Sequence, residues 1–217
     1  SETVLVFLEG DGRPWVDGVT PNLDPTTANP LALELMIRTP RPGIYVARPC
    51  YHNTATERCS ASLWTSGRYS DDVVRVMTET VRVALRSFEH ERIVLVGHSG
   101  GGVLAVLIAE RLADVGGVVT IAANLDIDAW TSHHGYLPLW ASLNPARSTQ
   151  PHPWPEIHLA GRTDIVVPIE TTSSYFARYS SAKRWILEED GHVCCWKEKW
   201  PELWERVERE LTVTRDE

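Results

Sequence analysis

Short runs of aliphatic and β-branched residues alternate along the chain with stretches whose apolar positions recur every three to four residues. The runs at residues 4–8, 44–47, 93–96, 118–122, 157–160 and 184–187 read as strands. Most are apolar at successive positions rather than at every second one, which predicts strands covered on both faces, as in a parallel sheet. Between them, Val73, Val74, Met77, Val81, Ala84 and Leu85 share one face of a helix predicted over about 71–88, with Asp71 or Asp72 as its cap. Further helices are predicted from about 100 to 113, near 171–179 and over roughly 196–211. The last is expected to be interrupted near its start by Pro201. Residues 124–155, rich in Trp, His and Pro, predict an irregular insertion. The alternation predicts an α/β fold with a mostly parallel central sheet flanked by helices on both faces.

Size and charge narrow the picture. At 217 residues the chain is one ordinary domain, 1–217, with a short cap-like insertion at about 124–155. Its 21 Lys+Arg against 29 Asp+Glu leave a net charge of −8, with no basic stripe of the kind that binds nucleic acid. The apolar runs, such as 103–109, fall far short of the ~20 residues a membrane span needs. Nothing in the pattern sets an oligomeric state. Cys50, Cys59, Cys194 and Cys195 match no zinc-binding spacing, and no metal or organic cofactor is expected. Cys50 and Cys59 flank a polar, aperiodic stretch and are expected to pair, although two free thiols remain the alternative. The adjacent Cys194 and Cys195 are not expected to bond to each other. A disulfide, together with a start at Ser1 that carries no basic-plus-apolar leader, leads to the expectation of a periplasmic or extracellular protein.

The chemistry is concentrated in loops after strands. Gly97-His98-Ser99-Gly100-Gly101 fits G-x-S-x-G, with a predicted strand running in and a predicted helix running out. A sharp strand-to-helix turn lifts a serine Oγ above the sheet, and glycines are needed where backbones approach closely. Ser99 is therefore the candidate nucleophile; a glycine-rich helix start with a capping serine would spell the same letters. A serine nucleophile needs a base and the base an orienting acid. His192 follows the last predicted strand and Asp164 follows the strand at 157–160, giving the order Ser99, Asp164, His192. Asp126, Asp128 and Asp190 are rival acids; His98, His133, His134, His152 and His158 are rival bases. The Gly100 amide and, from the loop Glu9-Gly10-Asp11-Gly12, the Asp11 amide are the candidate oxyanion donors.

With these residues in place the chain resembles the α/β-hydrolase superfamily over nearly its whole length. The resemblance rests on the elbow at residues 97–101, the acid in Gly161-Arg162-Thr163-Asp164 and the base in Asp190-Gly191-His192. Glu9-Gly10 stands where the family usually has His-Gly, and the family's first two antiparallel strands are not expected here. The pieces Leu8-Glu9-Gly10-Asp11-Gly12, Arg48-Pro49-Cys50-Tyr51 and Leu63-Trp64-Thr65-Ser66-Gly67-Arg68-Tyr69-Ser70 are similar to those of small bacterial members. The resemblance implies a two-step acyl transfer on a small-molecule ester or acyl substrate, with a carboxylester hydrolase first. Peptidase, amidase, thioesterase and acyltransferase chemistry use the same groups. A carbon–carbon bond hydrolase and a binding module without catalysis stand further off. Trp64, Trp130 and Trp140 are candidate substrate-binding residues, with Tyr69 beside them. Trp130, Trp140 and Trp154 would equally serve to pack the cap. The acidic loop at Glu9 and Asp11 argues against anionic substrates.

Overall fold

The computed structural model describes residues 3–54 and 56–213. Ser1, on which part of the export expectation rests, and Ala55, between Cys50 and Cys59, lie outside the described residues. In chain order the elements are β1 (Thr3–Leu8), α1 (Leu31–Ile37), β2 (Gly43–Val46), α2 (Asp71–Leu85), β3 (Arg92–His98), α3 (Gly100–Ala109), β4 (Val115–Ile121), α4 (Ile127–His134), β5 (Glu156–Gly161), α5 (Ser173–Arg178), β6 (Lys183–Leu187) and α6 (Trp196–Val213). The strands form one sheet in the order β2-β1-β3-β4-β5-β6, with every neighbouring pair parallel.

Both faces of this sheet are buried, as the unbroken apolar runs require. Val4, Val6 and Leu8 pack towards α2 and α3, whereas Leu5 and Phe7 pack towards α1 and α6. All ten residues of α3 are buried, so this helix is apolar all round and forms the centre of one layer. The chain leaves β1 for the sheet edge at β2 and returns on the other side at β3. The β1/β3 boundary is thus the point where strand order reverses, and the crevice beyond it is where such sheets take ligands.

Four expectations change. Pro201 does not interrupt α6, which runs through it from Trp196 to Val213. Trp196, Trp200, Leu203, Trp204, Val207 and Leu211 form a buried stripe on this helix. At roughly 2 kcal/mol for each large side chain, the stripe outweighs the ~3 kcal/mol an interior proline costs. The cap of α2 is Ser70, whose hydroxyl accepts from the Val73 amide, rather than Asp71 or Asp72. The insertion after β4 contains a helix, α4, begun by the Asp126 carboxylate and ended by Gly135 at φ 66°. The seven-residue α1 was not expected at all. No antiparallel strand joins the sheet among the described residues.

Candidate active site

The turn from β3 into α3 passes through Ser99, whose backbone sits at φ 52°, ψ −125°, outside the regions side chains favour. Its amide donates to the Ile121 carbonyl at 2.8 Å, and its carbonyl accepts from the Gly102 amide at 2.9 Å. The neighbouring glycines are required sterically. A Cβ at Gly97 would overlap the Gly101 carbonyl, and one at Gly101 would overlap the carbonyls of Leu8 and Glu9. The first turn of α3 is pressed onto the end of β1, leaving the serine hydroxyl at the mouth of the crevice.

The loops after β5 and β6 bring two side chains to that hydroxyl. His192 Nε2 lies 3.0 Å from Ser99 Oγ, and its Nδ1 lies 2.9 Å from Asp164 Oδ2. The other oxygen of Asp164 accepts from the Val166 and Val167 amides, each at 2.8 Å, so the buried carboxylate is held at both ends. The His192 carbonyl faces His98 Nε2 at 3.0 Å and accepts from Trp196 Nε1 at 3.3 Å, which seats the loop. An imidazole so placed can take a hydroxyl proton while the carboxylate fixes its tautomer.

The rival residues have other partners. Asp126 accepts from the Asp128 and Ala129 amides at the start of α4 and from Asn144 and Ser174. Asp128 pairs with Asn144 and Arg147. Asp190 is fully buried and binds Lys199 and the Cys195 amide. His98 packs beside the elbow, its ring 5.1 Å from that of His192. His134 faces the Val166 carbonyl and packs against His133. His152 and His158 both contact Glu156 rather than Ser99. Among the described residues no group of three or more His, Cys, Asp or Glu is arranged to hold a metal.

The Gly100 and Asp11 amides have no intramolecular acceptor among the described residues. Gly10 lies against the elbow, where a Cβ would stand 3.3 Å from that of Ser99. The acidity of this loop is partly cancelled within the structure. Burial would raise the Asp11 pKa, but Arg68, Arg48 and the Tyr69 hydroxyl lower it to about 2. Glu9 is buried too, accepting from the Gly10 and Ala32 amides. Asp11 is thus paired with cations and Glu9 with amide donors, so the argument against anionic substrates rests on Glu9 alone.

A cavity of about 950 Å³ opens over Ser99 and His192. Trp130 and Trp140 line it with Tyr136, Leu137 and Leu139. Trp64 does not line it: this residue is buried against Cys50 and Tyr51. Tyr69 is likewise fully buried beneath the loop after β1. Residues of that long loop, among them Pro14, Trp15 and Val19, also line the cavity, and sequence reasoning missed them. Their signal was faint: single apolar residues scattered through a turn-rich stretch.

Cys50 and Cys59 have their sulfurs at bonding distance, with Cα atoms 5.8 Å apart. Contrary to expectation, so do Cys194 and Cys195. The Gly191 amide donates to the Cys194 carbonyl at 2.7 Å, closing the turn that precedes this pair. Among the described residues no helix is long and apolar enough to cross a membrane.

Structures of similar architecture include esterases and other hydrolases. An esterase of Pyrococcus furiosus superimposes with a TM-score of 0.65 at 15% identity, over 97% of this chain and 81% of that one. A lipase-esterase related protein of Clostridium acetobutylicum gives 0.61 at 14% identity, over 96% and 94%. An acylaminoacyl peptidase of Pyrococcus horikoshii gives 0.63 at 13% identity, over 98% of this chain and 36% of that one. At these identities the likeness is one of fold. No curated protein matches the chain in sequence. A family model described as the alpha/beta hydrolase family matches residues 12–215, and the chain belongs to that family.

Proposed function

We propose that this alpha/beta hydrolase is a serine hydrolase that cleaves carboxylic esters of small molecules through an acyl-enzyme. The observation that carries the proposal is the double engagement of His192, 3.0 Å from Ser99 Oγ on one side and 2.9 Å from Asp164 on the other. His192 takes the Ser99 proton as Oγ adds to the ester carbonyl. The oxyanion is met by the Gly100 and Asp11 amides. Collapse of this intermediate breaks the bond to the alkoxy oxygen, which takes from His192 the proton that came from Ser99 and leaves as the alcohol. Water then repeats the sequence on the acyl-enzyme, losing its proton to His192 and releasing the acid with Ser99 restored. Asp164 keeps the Nδ1 proton in place and stabilises the imidazolium.

The apolar wall carrying Trp130 and Trp140 suits the acyl chain, and residues 124–155 act as a short cap. The Cys50–Cys59 pair acts as a disulfide, which favours an exported protein. The test is rapid mixing with p-nitrophenyl butyrate. A burst of one p-nitrophenol per chain, absent in Ser99→Ala, supports an acyl-enzyme on Ser99. Turnover retained in Ser99→Ala refutes it.

A further inference from the structure

Asp11 belongs to no helix or strand and lies between two glycines, Gly10 and Gly12, the latter at φ 64°. Such a segment has more backbone freedom than any other, yet an oxyanion donor must be held in direction to a fraction of an ångström. Something outside the loop has to hold it.

Four side chains converge on this one residue. Arg48 Nη1 donates to Asp11 Oδ1. Arg68 Nη1 donates to Oδ2 at 2.9 Å, and the Tyr69 hydroxyl donates to the same oxygen at 2.6 Å. The Tyr51 hydroxyl donates to the Asp11 carbonyl at 2.9 Å. The holders are themselves held: Arg48 Nη2 donates to the Arg68 carbonyl at 2.5 Å, and Arg68 Nε to the Thr65 carbonyl at 2.8 Å. All four are buried, the two arginines to 3% and 5% exposure. The assembly also abuts the other donor, because a Cβ at Gly100 would overlap the Asp11 carboxylate and the Tyr69 hydroxyl.

We propose that Arg48, Tyr51, Arg68 and Tyr69 are positioning residues, a clamp that aims the Asp11 amide at the oxyanion of the reaction on Ser99. With the Asp11 side chain and carbonyl both fixed, the tetrahedral Cα leaves its nitrogen a single position. This accounts for two stretches of sequence that the triad does not use. Arg48-Pro49-Cys50-Tyr51 supplies one half of the clamp and Thr65-Ser66-Gly67-Arg68-Tyr69 the other. It also accounts for two guanidinium groups and a carboxylate buried together, an arrangement that apolar residues commonly replace without loss of stability. The inference rests on Ser99 being the nucleophile and on Asp11 being the second donor.

The test uses Tyr51→Phe, Tyr69→Phe and the double variant, each of which deletes one or two hydroxyls and leaves Ser99, His192 and Asp164 intact. Each single change is expected to lower kcat for p-nitrophenyl butyrate about tenfold with KM within about twofold. The double variant should lose about 10²-fold, the lower end for deleting an oxyanion donor outright. A trifluoromethyl ketone, which binds serine hydrolases as a tetrahedral hemiketal, should lose affinity by the same factors, whereas butyrate, a ground-state ligand, should not. A merely structural role would lower the melting temperature without this selective loss. A folded double variant with undiminished kcat overturns the clamp, as does a change confined to KM. Should the double variant not fold, the Tyr51→Phe result alone decides in the same way. A fluorophosphonate adduct on Ser99 of the unaltered protein separates failure of the clamp from failure of the serine-hydrolase reading. Without that adduct both fall together.

Discussion

Asp164→Asn is the substitution whose consequence the hydrogen bonds determine most closely. The two side chains have the same shape, so packing around this buried position is kept. What changes is which end of the group can donate. One oxygen of Asp164 accepts from both the Val166 and Val167 amides at 2.8 Å, and the other faces His192 Nδ1 at 2.9 Å. An asparagine with its NH2 turned to Val166 and Val167 would set a donor against two donors. That orientation costs about 1–3 kcal/mol for each amide left unsatisfied. The carbonyl oxygen therefore stays with the two amides, and the NH2 is directed at His192. Nδ1 must then be the acceptor, which puts the ring proton on Nε2, the nitrogen facing Ser99. The imidazole cannot take the hydroxyl proton in that tautomer. A loss of about 10⁴-fold in kcat follows, equivalent to about 5.5 kcal/mol of transition-state stabilisation. The assay is the initial rate with p-nitrophenyl butyrate, with a thermal melt on the same sample. A loss under tenfold with an unchanged melt would refute the assignment of Asp164.

The remaining predictions concern different parts of the molecule. Burial would lower the His152 pKa, but Glu110 and Glu156 raise it from 6.5 to about 9. The stability it contributes is complete below about pH 6.5 and lost as pH rises through 9, a term on the order of 3 kcal/mol. Urea unfolding across that window should show the decline in the unaltered protein and a flatter curve in His152→Gln; parallel curves would contradict it. Asp126→Ala removes the carboxylate that starts α4, so stability should fall by about 1–2 kcal/mol while kcat stays within about threefold. A collapse of kcat in a folded sample would make Asp126 the acid. Trp140 lines the cavity but is 81% exposed, so Trp140→Ala should leave the melt unchanged. Turnover of p-nitrophenyl octanoate should fall about fivefold relative to the acetate, roughly 1 kcal/mol of lost apolar contact. An unaltered chain-length profile would remove Trp140 from the substrate site.

The parts legible in the sequence are those where a local pattern and its structural cause coincide. The inner strands β1, β3 and β4 announce themselves because burial on both faces demands nearly unbroken apolar runs. Residues 97–101 announce the elbow because its turn tolerates little but glycine around Ser99. Asp164 and His192 were legible through position, each a few residues past a strand end. Helix α1 was not, because seven residues starting after Pro30, with no side-chain cap, carry too few turns to show a period. Pro201 misled because local propensity weighs against a helix that the tryptophans of α6 impose through packing. Trp64 misled for the opposite reason, since being aromatic and near the site in sequence does not say which way the ring is buried. The environment of Asp11 was beyond reach, because it is assembled from residues 37 to 58 positions apart. Each half of that cluster was visible as an unexplained motif, but only the fold brings the halves together.

The central claim is that Ser99, His192 and Asp164 form a working nucleophile with an assembled oxyanion site. Intact-mass spectrometry after incubation with a fluorophosphonate tests it most directly, since the probe needs an activated serine and donors for the phosphoryl oxygen. The account predicts one adduct per chain, mapped to Ser99 and absent in Ser99→Ala. An adduct that persists in Ser99→Ala, or no adduct on a folded protein, would contradict it.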